Sequence, residues 1–126
     1  MITVLPCRCK EKIKERFENC GFKYTEKSGF VTAECGGEEI GFCLYYLDEK
    51  GICILNLEPQ NDIMLADGVL RSALHVAAER SAMDARYSNS APKELFKRLG
   101  FIKNEDEQTL NIDMLFGGCG CKANEK

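Results

Sequence analysis

The sequence contains no tryptophan, a single histidine and three prolines. It also lacks any run approaching the ~18 consecutive apolar residues of a membrane-spanning helix. Lys and Arg alternate with Glu along the chain and the net charge is -3, so the clustered basic surface that DNA or RNA binding requires is missing. The opening apolar segment, MITVLP, is too short to be the core of a signal peptide, and it lacks the basic residues that begin one. These absences predict a cytoplasmic protein that binds neither membranes nor nucleic acid.

Apolar residues and cysteines, by contrast, are plentiful. The 126 residues are 44% hydrophobic and 29% charged, which is typical of one globular domain with its own core. There are eight cysteines, more than such a core needs. Cys43 and Cys53 lie inside apolar strand patterns, where a thiol behaves as a small buried hydrophobe. The cysteines near the two ends of the chain need a separate explanation.

Those terminal cysteines form two CxC pairs, Cys7 with Cys9 and Cys119 with Cys121. Thiolates are the ligands that soft metals prefer, so the pairs are candidate ligands for a zinc or iron–sulfur site. The usual zinc spacing is C-x2-C, and the glycines around Cys119 and Cys121 are also compatible with a local disulfide or with free thiols. The identity of any metal stays open.

The patterns in the first half of the chain predict a short strand, a helix and an antiparallel meander. Residues 1–5 form the strand, and the three-to-four spacing of apolar residues predicts a helix over 8–19. Alternation and turn residues then predict four strands, near 22–25, 30–35, 39–47 and 51–58. The turn between the last two ends on Gly51.

The second half begins with the strand GICILNLEP and an uninterrupted helical pattern over 63–82. A broad apolar stripe predicts that this helix covers a sheet; it consists of Ala66, Val69, Leu70, Ala73, Leu74 and Ala77. Arg71, His75 and Glu79 fall on the opposite face, so His75 is interpreted as a surface residue, not a catalytic base. A strand over 84–89, a helix from Pro92 to Gly100 and a closing hairpin over 101–116 follow.

This order of elements resembles the GNAT superfamily of N-acetyltransferases. The resemblance rests on LNLEP at 55–59, the amphipathic helix after it, and SNSAPKELFKRLGF at 88–101, with Asn89, Phe96 and Gly100-Phe101 at the positions typical of the family. It implies a single α/β domain with a mixed, mostly antiparallel sheet flanked by helices. We assign residues 1–116 to this domain and 117–126 to a Gly- and Cys-containing tail.

The resemblance implies transfer of an acetyl group from acetyl-CoA to an amine. The family holds the CoA pyrophosphate with an Arg/Gln-x-x-Gly-x-Gly/Ala loop at a helix N-terminus, where backbone N–H groups and the helix dipole favour phosphate. The corresponding residues here are 62–67, which contain no glycine and begin and end with Asp. Asp62 is also a good helix N-cap. The sequence therefore predicts that CoA binding is lost, weakened or rearranged.

The remaining site residues follow from the resemblance. Leu57 and Asn89 would contact the pantetheine arm, and Glu58 is a candidate general base at the strand end. Phe96 stands where many relatives have a tyrosine whose hydroxyl protonates the departing thiolate, and Phe has no proton to donate. The alternative interpretation of Phe96 is a core aromatic.

Three functions follow as hypotheses. The first is an acetyl-CoA-dependent N-acyltransferase acting on an unidentified small-molecule or protein amine; the second is a non-catalytic binding or regulatory module of the same fold. The third is a thiol-based metal-binding or redox protein that uses the C-terminal CxC pair, Cys119 and Cys121. In the family's strand order the first and last strands would lie on the order of 20 Å apart, so one shared site would need a displaced terminus or a second chain. A homodimer is left open.

Overall fold

The computed structural model describes residues 2–48, 51–79 and 84–110, which form a seven-stranded sheet with helices on both faces. The elements are β1 (Ile2–Pro6), α1 (Lys10–Asn19), β2 (Ser28–Cys35), β3 (Glu38–Leu47), β4 (Gly51–Glu58), α2 (Ile63–Glu79), β5 (Asp84–Tyr87), α3 (Lys93–Leu99), β6 (Ile102–Asn104) and β7 (Thr109–Leu110). The strand order is β1-β2-β3-β4-β5-β7-β6, and only the β4–β5 pair is parallel. The predicted mixed, mostly antiparallel sheet is confirmed.

The main core lies between α2 and the sheet. All six residues of the predicted apolar stripe are fully buried there. They pack on side chains that alternate along β2, β3 and β4, among them Val31, Cys43 and Ile54. Burial raises the pKa of the Cys43 thiol far above its ordinary value, which suits the predicted role as a core hydrophobe.

A second, smaller core lies under α1 on the other face of the sheet, where Ile13 and Phe17 pack on the strands. Arg16 ties this helix to β3 through two hydrogen bonds to the Glu39 carboxylate, at 2.8 and 2.6 Å. The guanidinium of Arg16 also lies over the rings of Phe30 and Phe42, at 5.2 and 4.8 Å from their centroids. The aromatic contacts explain why this ion pair is partly buried.

The strand predicted near 22–25 is wrong. These residues have no strand pairing; instead Phe22 and Tyr24 pack against the second core. The Phe22 ring meets Phe17 edge-on, with centroids 6.4 Å apart, and the Thr25 N–H donates to the Ser28 hydroxyl at 2.8 Å to start a turn. The alternating aromatics are therefore explained by packing on a helix, and they need no partner strand.

Two other details differ from the sequence-based expectations. The strand predicted over 84–89 ends at Tyr87, and residues 89 and 90 form a turn. Arg71, expected on the exposed face, is half-buried over the ring of Phe101, 5.2 Å from its centroid, and paired with Asp67. His75 is exposed, as predicted. Helix α2 is described as Ile63–Glu79, and residues 80–82 of the predicted helix lie outside the described residues.

Among the described residues, no helix combines the length and apolar content needed to cross a bilayer. The predicted tail over 117–126 lies outside the described ranges, as does most of the second strand of the predicted closing hairpin.

Candidate functional site

The first turn of α2 is capped by Asp62. The backbone N–H of Leu65 donates to the Asp62 carboxylate at 3.1 Å, and the N–H of Ala66 donates to the Asp62 carbonyl at 2.9 Å. The N-terminal N–H groups of a helix are its means of binding an anion. Here the chain's own carboxylate occupies this position, as the N-cap reading of Asp62 predicted.

The surroundings of this turn are acidic and apolar. Glu58 is half-buried at the end of β4 and accepts a hydrogen bond from the Gln60 side chain at 3.1 Å. Ile63 and Met64 project outward, and Met64 is 87% exposed. The glycine nearest along the chain, Gly68, lies inside the helix, where a Cβ would have no neighbour within 4 Å. Nothing in this turn uses the close backbone approach that glycine permits.

Asp62→Ala is expected to destabilise the protein by about 1 kcal/mol, because the Leu65 N–H loses its acceptor. Asp62→Asn is the matched control: asparagine caps helices equally well and lacks the charge, so the loss should be smaller. Urea unfolding of the three proteins measures both values. Equal losses for the alanine and asparagine variants would show that charge, not capping, is what Asp62 contributes.

The second feature is an opening between β4 and β5. The two strands pair in parallel from Gly51 with Asp84 to Ile54 with Tyr87. Strand β4 then continues to Glu58, with a bulge at Leu55 where its register with β3 shifts. Within the described residues, no strand pairs with that edge of β4 beyond Ile54. Such a divergence exposes backbone groups of a central strand, which a ligand can use.

Three of the backbone groups at this opening have partners within the chain. The Leu57 N–H donates to the side-chain oxygen of Asn56 at 2.9 Å, and the Ser90 hydroxyl donates to the Leu55 carbonyl at 3.1 Å. The Ser88 N–H donates to the Ile54 carbonyl at 2.9 Å and extends the β4–β5 contact into the turn. Sequence reasoning missed Asn56 and Ser90, because neither residue type signals a role until the fold brings residues 55 and 90 together.

The other predicted site residues lie around the same end of β5. Asn89 is exposed in the turn after the strand, and its side-chain oxygen accepts a hydrogen bond from Gln108 at 2.8 Å. Phe96 is fully buried in α3, with its ring 5.3 Å from that of Tyr87. Phe96 is therefore a core aromatic in this structure, and the functional roles predicted for Leu57, Glu58 and Asn89 stay predictions.

The predicted metal ligands fall into two groups. Cys7 is half-buried and Cys9 is exposed just before α1, with the Cys7 sulfur 3.8 Å from the Cys9 carbonyl oxygen. Across residues 2–48, 51–79 and 84–110, no three His, Cys, Asp or Glu side chains are placed to hold a metal ion. Cys119 and Cys121 lie outside these ranges, so the suggestion of a metal at the tail stays a prediction.

An ionic clamp joins α3 to the β6–β7 turn. The Glu105 carboxylate accepts from the ammonium groups of Lys93 at 2.6 Å and Lys97 at 3.0 Å. These hydrogen bonds, that of Lys93 first, hold the pKa of Glu105 below its ordinary value near 4.5. The ion pairs of Glu105 with Lys93 and Lys97 lie beside the region that follows the carboxyl end of β5.

The stabilising contribution of this clamp should depend on pH. Because the pKa of Glu105 is lower in the folded state than in the unfolded state, its contribution is present above the unfolded-state pKa. It is lost as the pH falls through the folded-state pKa. We therefore expect native protein to have a higher unfolding midpoint than Glu105→Gln at neutral pH, and the difference to vanish in acid. Glu107→Gln is the control, since Glu107 makes no ion pair within the described residues. A difference in unfolding midpoint that persists in strong acid would contradict the assignment of this pH dependence to the Glu105 carboxylate.

Comparison with solved structures identifies the architecture. The E. coli protein YhhK, assigned as an N-acetyl transferase and solved with bound coenzyme A, matches with a TM-score of 0.56 at 8% identity, over 83% of this chain and 94% of its own. Ard1 from Thermoplasma volcanium matches with a TM-score of 0.52 at 14% identity, over 86% of this chain and 92% of its own. No protein-family profile and no curated sequence matches significantly. The chain therefore has the GNAT fold, as its motif order predicted.

This fold raises the question of whether coenzyme A fits. In the mode of binding that the family resemblance implies, the CoA pyrophosphate would take free N–H groups at the start of α2, and here the Leu65 N–H donates to the Asp62 carboxylate. A phosphate placed there would also meet the carboxylate of Asp62, and like charges in contact repel. The residues present do not fit the pyrophosphate in the way a glycine loop does.

Proposed function

We propose that this chain is a non-catalytic ligand-binding or regulatory module built on the GNAT fold. The proposal is carried by one observation, the capping of α2 by Asp62. A helix terminus that is satisfied by its own carboxylate gains little by exchanging it for a phosphate, because the carboxylate must first be displaced and then remains nearby as a repelling charge.

Two further observations support a non-catalytic role. Two backbone groups at the β4–β5 opening, the Leu57 N–H and the Leu55 carbonyl, are bonded to the side chains of Asn56 and Ser90, so a pantetheine arm that used them would have to break these contacts. Phe96 is a fully buried hydrocarbon ring with no proton to give to a leaving thiolate.

The second candidate function is acetyl transfer from acetyl-CoA to an amine. It is favoured by the divergence of β4 and β5 after Ile54 and Tyr87 and by the bulge at Leu55, both of which leave room beside a central strand. In this case Leu57 and Asn89 would contact the pantetheine arm and Glu58 would accept the proton of the amine. The structural neighbour YhhK carries coenzyme A, which is a property of that protein.

Calorimetric titration with acetyl-CoA, followed by a thiol-release assay with a panel of amines, separates the two candidates. For the native protein we expect no saturable heat at millimolar acetyl-CoA and no amine-dependent release of CoA thiol. YhhK serves as the positive control for binding. Saturable binding together with amine-dependent thiol release would refute the non-catalytic proposal and establish the second candidate.

A further inference from the structure

Two free thiols, Cys7 and Cys9, lie at the junction of β1 and α1. The Cys7 N–H donates to the Phe30 carbonyl at 2.8 Å, which continues the β1–β2 ladder by one residue. The backbone of Cys9 is also extended, with φ -89° and ψ 112°. The Cys7 sulfur lies 3.8 Å from the Cys9 carbonyl oxygen, so it is already beside the residue that carries the second thiol.

Both sulfurs are open to a ligand. Cys9 is exposed, and although it occupies the N-cap position of α1, its thiol forms no capping hydrogen bond. Cys7 is half-buried and lines a cavity of about 380 Å³. Arg8 and Lys10 line the same cavity, so two positively charged side chains flank the thiols. Positive charges favour the thiolate form of a cysteine, which is the form that binds metals.

The number of available ligands decides which ion fits this pair. Zinc sites use three or four protein ligands, and iron–sulfur clusters usually use four. In the part of the chain that the structure describes, no group of three or more His, Cys, Asp or Glu side chains could hold a metal ion. Cu(I) is a soft ion that selects thiolates, and two sulfurs arranged in a line satisfy its coordination.

We propose that Cys7 and Cys9 bind one Cu(I) ion between their two thiolates. Each thiol releases its proton to water when its sulfur binds the metal, so the complex of two thiolates and one Cu(I) carries a single negative charge. The side chains of Arg8 and Lys10 balance that charge. This site goes beyond the proposed function and is independent of it, since it uses neither the start of α2 nor the β4–β5 opening.

The test is made in a chain that carries Cys119→Ser and Cys121→Ser, called the parent chain, because those cysteines form a second CxC pair. Cu(I) is titrated into the parent chain under reducing, oxygen-free conditions, in competition with bicinchoninate, a chromogenic Cu(I) chelator. We expect one Cu(I) to bind per chain. Because Cu(I) is diamagnetic, NMR can follow the backbone amides of residues 7–12, which should shift until one equivalent has been added.

Cys7→Ser and Cys9→Ser, each added to the parent chain, remove one of the two ligands. Loss of a hydrogen-bond partner of a ligand already costs ~10–100-fold in metal affinity, so loss of a ligand should weaken Cu(I) binding about a hundredfold or more. Cys9 is exposed, so Cys9→Ser should leave the fold unchanged, which its amide spectrum checks. The matched controls are Cys20→Ser, half-buried like Cys7, and Cys35→Ser, exposed like Cys9. Both controls should bind Cu(I) like the parent chain.

Three results would overturn the proposal. The parent chain would bind no Cu(I), or it would bind Zn(II) more tightly than Cu(I), or a control variant would weaken Cu(I) binding as much as Cys9→Ser does. X-ray absorption at the copper edge gives a further check, since the account expects two sulfur neighbours. A third sulfur around the copper would contradict the two-thiolate site.

Discussion

Gly51→Ala is expected to cost on the order of 3 kcal/mol of folding stability or more. Gly51 is buried at the start of β4 and pairs with Asp84 at the start of β5. A Cβ at Gly51 would clash with the backbone carbonyl of Asp84. Since backbone atoms of a paired strand cannot rotate away as a side chain can, β4 and β5 would have to separate. Among the described strands this pair is the only parallel one, and the opening of the candidate site begins where it ends.

The chain offers a matched control in Gly68→Ala. Gly68 lies inside α2 and a Cβ there would meet no atom within 4 Å. Alanine is the better helix former and restricts the unfolded chain, so this variant should be more stable by about 0.4–1 kcal/mol. Urea unfolding of both variants measures the contrast. A loss below about 0.5 kcal/mol for Gly51→Ala would mean that the two strands are less tightly paired than the structure indicates.

Phe96→Ala should have a comparably large effect, a loss of about 3–5 kcal/mol. The ring is fully buried between α3 and the sheet and contacts Tyr87 at 5.3 Å, so its removal leaves a cavity in the main core. Phe96→Leu keeps most of the apolar volume and should lose clearly less. Thermal and urea unfolding of both variants give the comparison. Equal and small losses would indicate that Phe96 is retained for a reason other than packing.

Features that depend on neighbours in sequence were predicted well. The apolar stripe of α2 follows from residue spacing alone, and all its members are buried. The cap by Asp62 is equally local, because an N-cap residue bonds to N–H groups only a few positions away. The meander of β2, β3 and β4 follows from alternation and short turns. In each case the deciding contacts lie within one element or across one turn.

Features that depend on distant residues were not predictable in the same way. Phe22 and Tyr24 alternate like strand residues, but they pack against the second core, whose members Leu44 and Leu55 only the fold brings close to them. The sequence pattern predicts that Arg71 is a surface residue, but its guanidinium lies over the ring of Phe101, which is thirty positions away. The hydroxyl of Tyr87 is buried without a hydrogen-bond partner among the described residues, and no sequence pattern signals this, since it depends on which groups surround the hydroxyl in three dimensions. The same reason explains why Ser90 and Asn56 were missed.

The GNAT fold of this chain and the chemistry usually found on that fold depend on different residues. Sheet order, the parallel β4–β5 pair and the amphipathic α2 are retained, because they depend on apolar periodicity. A phosphate-binding helix start uses glycines and free N–H groups, whereas α2 begins with an aspartate that caps it and with bulky apolar residues. A fold and a binding site can vary independently, since the core and the site depend on different residues.

The most direct test of this account follows the backbone amides of Leu65 and Ala66 by NMR while acetyl-CoA is added. If Asp62 closes the start of α2, these two amides keep their chemical shifts up to millimolar ligand, and Asp62→Asn behaves in the same way. A saturable shift of the Leu65 amide in the native protein would contradict the account, because it would mean that the helix terminus exchanges its own carboxylate for a phosphate.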